Sequence, residues 1–73
     1  MHRQFVMNHS GHDEHAFDPT NKVDVDKAKE RFDQITDAGY TAATRNDDGS
    51  ATVVRQFDPN AKETLFIPRL VGG

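Results

Sequence analysis

Three histidines spaced three residues apart, His9, His12 and His15, enclose Asp13 and Glu14, and His2 lies upstream. These are the residue types that ligate metals: imidazole nitrogen and carboxylate oxygen together suit zinc, nickel or copper. Geometry sets a condition on that chemistry. In an extended arm His9 and His15 stand about 20 Å apart at ~3.3 Å per residue, too far for one ion. A turn at Ser10-Gly11 brings His9 towards His12, but His15 joins them only if the chain curls further. The spacing is not that of H-E-x-x-H, in which two histidines share a helix face around a catalytic glutamate. Two readings stand: a solvated polar loop, or a small zinc site on His9, His12 and His15.

Other chemistry is less well equipped. Ser10 lies beside His9 and His12 with Asp13 near, yet neighbours in one loop do not align nucleophile, base and orienter. Asp47 and Asp48 before Gly49 share residue types with a calcium loop but lack its carboxylate ladder and distal glutamate, so they read as turn residues. The sequence has no nucleophile elbow, phosphate loop or dinucleotide fingerprint. A pocket that excludes water is hard to build from 73 residues, since ligand pockets are sizeable concave sites. The expectation is a protein without catalytic activity and without a resident cofactor, zinc being the one alternative.

Composition narrows the partners. Nine Lys and Arg against twelve Asp and Glu leave a net charge of −3, whereas phosphate backbones select clustered positive charge. Lys22, Lys27, Lys29 and Arg31 come nearest to a basic run, and acids interrupt them. Nucleic acid is therefore not the expected partner. There is no cysteine to form a disulfide or thiolate zinc site. No apolar stretch approaches the ~20 residues of a membrane span, and no signal-peptide core precedes the first polar segment. A soluble cytoplasmic or virion-associated domain is expected. A chain this short buries only about 60% of its unfolded surface, so a protein assembly or a second copy would add needed stability.

The elements that must carry these residues follow from periodicity. Arg3 to Asn8, "RQFVMN", is rich in strand formers; "HSGHD" reads as a turn, and "EHAFD" as a short returning strand closed by Asp18-Pro19. Val25, Ala28, Phe32 and Ile35 fall on one face of a helix. That helix is expected over about 24–38, capped by Asp24 or Asn21 and ended at Gly39. Two strand-like runs, near 40–46 and 51–57, flank the turn cluster "NDDGS" and predict a hairpin. Asp58 can cap a helical turn opened by Pro59, and Thr64 to Ile67 form a last short strand stopped by Pro68. "FDP" occurs twice, at Phe17–Pro19 and Phe57–Pro59, with flanks that do not match, so it reads as one corner used twice.

The expected fold is α+β: a small, mostly antiparallel sheet with one amphipathic helix on a face, in the order ββαβββ. Residues 1–68 form the single domain and 69–73 an extended tail. Phe5, Met7, Phe17, Ala28, Phe32, Ile35, Tyr40, Val53, Phe57, Leu65 and Ile67 are the expected core.

The tail reads Arg69-Leu70-Val71-Gly72-Gly73. Apolar side chains on an extended end favour contact with a partner, and paired glycines allow close approach to a backbone. Such a segment can add a strand to an open sheet edge. The five residues resemble the Arg-Leu-x-Gly-Gly ending of ubiquitin-like modifiers, with Val71 at the variable place. That resemblance implies a β-grasp fold, with which hairpin, helix and strands in this order are compatible, and conjugation through Gly73. Along most of its length the chain also resembles short proteins of phage and bacterial genomes. Those carry a "HSGHD" opening (His9 to Asp13), two "FDP" corners, a helix ending in Gly39-Tyr40, and a P-x-L-x-GG end (Pro68 to Gly73). The second resemblance implies a structural or accessory part of a larger assembly, such as a virion component. Three functions are thus expected in competition: a docking protein, a modifier, and a histidine-based metal binder.

Overall fold

The computed structural model describes residues 1–68. Within them the chain forms β1 (His2–Asn8), β2 (Gly11–Phe17), α1 (Lys22–Asp37), β3 (Thr41–Arg45), β4 (Ala51–Val54) and β5 (Glu63–Ile67). The fold is α+β, with a five-stranded sheet in the order β2-β1-β5-β3-β4. The expectation of a mostly antiparallel sheet is corrected to a mixed one. β5 runs parallel to β1 and antiparallel to β3, while β1–β2 and β3–β4 are antiparallel hairpins. The helix crosses from β2 at one edge to β3, and β5 then enters between β1 and β3, parallel to β1.

Local chemistry sets the element ends. The helix starts two residues earlier than its periodicity suggested. Asn21 is the cap, and its side-chain oxygen accepts from the Asp24 N–H at 3.2 Å. Asp24 in turn accepts from the Asp18 N–H at 3.2 Å, tying the cap to the "FDP" corner. At the far end Gly39 takes φ +104°. The N–H groups of Gly39 and Tyr40 donate back to the carbonyls of Thr36 and Ile35, the paired closure that a left-handed glycine permits. The first turn is tighter than expected and β2 correspondingly longer, because Gly11 at φ +130° completes the reversal directly after His9-Ser10. Residues 58–61 form an isolated turn rather than a helical one. The Asp58 carboxylate accepts from the Asn60 N–H and its carbonyl from the Ala61 N–H.

The core lies between α1 and one face of the sheet. Phe32, Ala42 and Phe66 are buried at its centre, with Val6, Ile35, Tyr40, Val54 and Phe57 against them. Ring pairs Phe32–Phe66 at 5.6 Å, Phe32–Phe57 at 5.9 Å and Phe17–Phe57 at 5.9 Å link helix, sheet and the second corner. Gln4 is also fully buried. Its amide donates to the Ala28 carbonyl at 3.0 Å and accepts from Arg31 at 2.8 Å, satisfying both ends.

Several expected core residues face the other way. Gln4 bonds the helix, so strand alternation puts Val6 beside it and turns Phe5 and Met7 to the uncovered face. The register carries this across the sheet. Thr64 and Phe66 face the helix, while Leu65 and Ile67 face out with Phe5. Ala42, Thr44 and Val54 face in, while Ala43 and Val53 face out. Ile67 is 44% exposed and Val53 66% exposed, so neither belongs to the helix-side core. Phe5, Met7, Val53, Leu65 and Ile67 thus lie on the uncovered face, whereas Phe17 in β2 faces the helix and is buried as expected.

Candidate docking face

Seen from the side away from the helix, the sheet presents three rows of side chains running across its strands. The middle row reads Glu14, Phe5, Leu65, Ala43 and Val53. Leu65 and Ala43 form a nearly buried floor, because neighbours on both sides cover them. One flanking row reads His12, Met7, Ile67 and Thr41; the other reads Ala16, Arg3, Glu63, Arg45 and Ala51. The covered face carries Gln4, Thr64, Thr44 and Thr52 in one row and Val6, Phe66, Ala42 and Val54 in the next. Large apolar side chains therefore stand on both faces, where a half-solvated sheet is expected to keep them on one.

Charge on this face is paired off at its edges. Arg3 meets Glu14 at 3.8 Å, and Arg45 meets Glu63 at 3.4 Å, all four side chains being roughly half exposed. Such exposed pairs contribute little to stability. Their effect is local neutrality around an apolar centre. Phe5, Met7, His12, Arg45, Glu63 and Leu65 enclose a shallow hollow of about 240 Å³. His12 stands on its rim, edge-on to the Phe5 ring at 5.7 Å. The hollow can take an apolar side chain, whose burial against Phe5 and Leu65 is the favourable term.

The histidines are dispersed by the same alternation. His12 pairs with Met7 on the open face, and His15 pairs with Gln4 on the helix side. His9 sits in the turn, and His2 Nδ1 donates to the Pro59 carbonyl at 3.0 Å. Among the described residues no group of three or more His, Cys, Asp or Glu is placed to hold a metal ion. The zinc set expected on His9, His12 and His15 is therefore not assembled in this arrangement. Ser10 donates its N–H to Asn8 Oδ1 within the turn at 2.9 Å, and a strand that alternates faces separates His12 from His15.

Asp47 and Asp48 occupy the β3–β4 turn. Asp48 Oδ1 accepts from the Ser50 hydroxyl at 2.6 Å and from the Ser50 N–H at 2.9 Å. The hydroxyl bond, followed by the backbone bond, holds this exposed carboxyl below its usual range. Thr20, through its hydroxyl and then its N–H, does the same to Asp18 at the first corner. Both are turn-forming bonds.

The tail residues Arg69, Leu70, Val71, Gly72 and Gly73 lie outside the described residues. The described chain leaves the sheet at Pro68, directly after the central strand β5. Sequence reasoning missed Ala43 and the two ion pairs, which exist only through cross-strand register. Phe5 and Met7 were singled out as core and are half-buried on the open face, while Leu65 is buried there as expected. No helix among the described residues is long and apolar enough to cross a membrane. No family model matches the chain, and no curated protein or solved structure matches it either.

Proposed function

We propose that this chain is a non-catalytic docking protein that attaches to a larger protein assembly through the open face of its sheet. The observation that carries the reading is a second apolar face: Phe5, Met7, Leu65, Val53 and Ile67 lie on the side the helix does not cover. An apolar, edge-neutralised surface fits an apolar protein surface and offers no clustered positive charge to a nucleic acid. The segment Arg69 to Gly73 follows from β5, which runs through the centre of that sheet, so it is suited to extend the contact. A virion component is the expected kind of assembly.

The test is the protein in its native source. It should migrate in a large native particle and collapse in SDS to one band near 8.2 kDa. Ile67→Lys, or removal of residues 69–73, should release it from the particle while leaving its circular dichroism intact. A particle that retains both variants refutes this docking route.

A second reading, a ubiquitin-like modifier joined through Gly73, draws support from the order hairpin, helix, strands and from the residues Arg69-Leu70-Val71-Gly72-Gly73. It requires a ladder that survives SDS and disappears in Gly73→Ala. If no such adduct forms in the native host, that reading fails.

A further inference from the structure

The two edges of the sheet differ in kind. β2 carries His12, Asp13, Glu14 and His15, so pairing this edge with another copy brings charged side chains together. Charged side chains are how natural sheets protect their edges. β4, Ala51-Thr52-Val53-Val54, has no charge, proline or glycine, and three of its four residues are β-branched. Val53 stands 66% exposed on the open face. Among the described residues nothing pairs with β4 on its outer side.

We propose that β4 pairs antiparallel with β4 of a second copy of this chain, joining two sheets into one across a two-fold axis. The pleat restricts the register. Cross-strand partners must share a face, and among the registers this allows the one centred on the strand sets Val53 opposite its own copy, Thr52 opposite Val54, and Ala51 opposite Arg55. This alignment is self-complementary, as an isologous contact requires. It sets no like charges face to face. Arg55 of each copy stands opposite the partner's Ala51, two strands across from Arg45 on the same face and near the turn that carries Asp47 and Asp48, so both signs of charge lie within about one Debye length of it. The pairing also makes the apolar middle row continuous through two molecules, Phe5-Leu65-Ala43-Val53 meeting its mirror sequence. The inference stands whether or not a larger assembly docks on the open face.

A four-residue edge buries far less than the ~1,200 Å² of a standard complex, so the dimer is weak and fast. Sedimentation equilibrium of the full 73-residue chain is the test, from about 10 μM to about 1 mM, the range in which weak pairs form. The weight-average mass should rise from 8.2 kDa towards twice that value. Concentration-dependent amide shifts should gather on residues 51–55. Val53→Lys and Val53→Glu should each remain monomeric, and their equimolar mixture should recover association, because position 53 faces itself. A wild-type mass of 8.2 kDa throughout overturns the proposal. So does association of Val53→Lys equal to wild type, or a mixture no better than either variant alone. The amide shifts need no variant, and shifts gathered on β2 instead of β4 overturn the proposal independently.

Discussion

Replacing Phe66 by alanine removes a side chain with no exposed surface from the centre of the core, where its ring meets Phe32 edge-on at 5.6 Å. Phe→Ala truncations at such sites cost about 3–5 kcal/mol, the lost transfer energy and the cavity left behind acting together. A domain of this size holds roughly 4–11 kcal/mol in total, at about 0.05–0.15 kcal/mol per residue. Phe66→Ala should therefore bring the protein to the edge of unfolding at room temperature. Ile67→Ala is the control that makes the experiment decisive. Ile67 is the next residue, equally apolar, but 44% exposed on the open face. With a little over half its surface covered, truncation should cost about 1–2 kcal/mol, scaled from the fully buried range. Urea unfolding followed by circular dichroism gives both values. An Ile67→Ala loss equal to or larger than that of Phe66→Ala would refute the assignment of faces, and with it the uncovered apolar face on which the docking reading rests.

Two further perturbations test the polar contacts. Gln4→Met keeps the buried volume but removes the bonds to the Ala28 carbonyl and Arg31. It should destabilise by about 1–3 kcal/mol in urea, the usual cost when buried polar partners lose each other. An unchanged midpoint would show that the Gln4 bonds are dispensable. Ser50→Ala should raise the Asp48 titration towards the ordinary carboxylate range, read from its side-chain carbon shifts in an NMR pH series. The sign is that of a depressed carboxyl: the stability contributed is present above the ordinary aspartate pKa and is lost as pH falls through the lowered one. The gap between wild type and Ser50→Ala should hold at neutral pH and close in acid. A gap that widens in acid would contradict the hydroxyl bond as the cause.

Much of the fold was legible from local signals. The helix announced itself through Val25, Ala28, Phe32 and Ile35, and its glycine stop through Gly39, because each depends on residues within one or two turns. The second hairpin was visible in "NDDGS", although β4 stops at Val54 instead of running to residue 57. Its partner arm β3, "TAATR", buries Ala42, Ala43 and Thr44 on both faces, a burial that small side chains do not advertise. The histidine spacing suggested a cluster only while the returning strand was thought short. Once β2 runs from Gly11 to Phe17, a period of two sends His12 and His15 to opposite sides.

The sequence by itself determined which elements form and roughly where they end, since capping, turn chemistry and helical periodicity are short-range. Tertiary structure alone decided which face of the sheet the helix would cover. Alternation states that two faces differ, not which one is buried. Phe5 and Met7 in β1 argued for the open face, β4 has a valine on each face, and β5 has Leu65 and Ile67 on one side and Phe66 on the other. That choice was made by Gln4, whose amide bridges to Ala28 and Arg31 more than twenty positions along the chain, and by β5 entering between β1 and β3 to bring Phe66 beneath Phe32. Contacts at such separations are formed by the folded chain as a whole. They leave Phe5, Val53 and Ile67 on the face the helix does not cover, with Leu65 buried between its strand neighbours there.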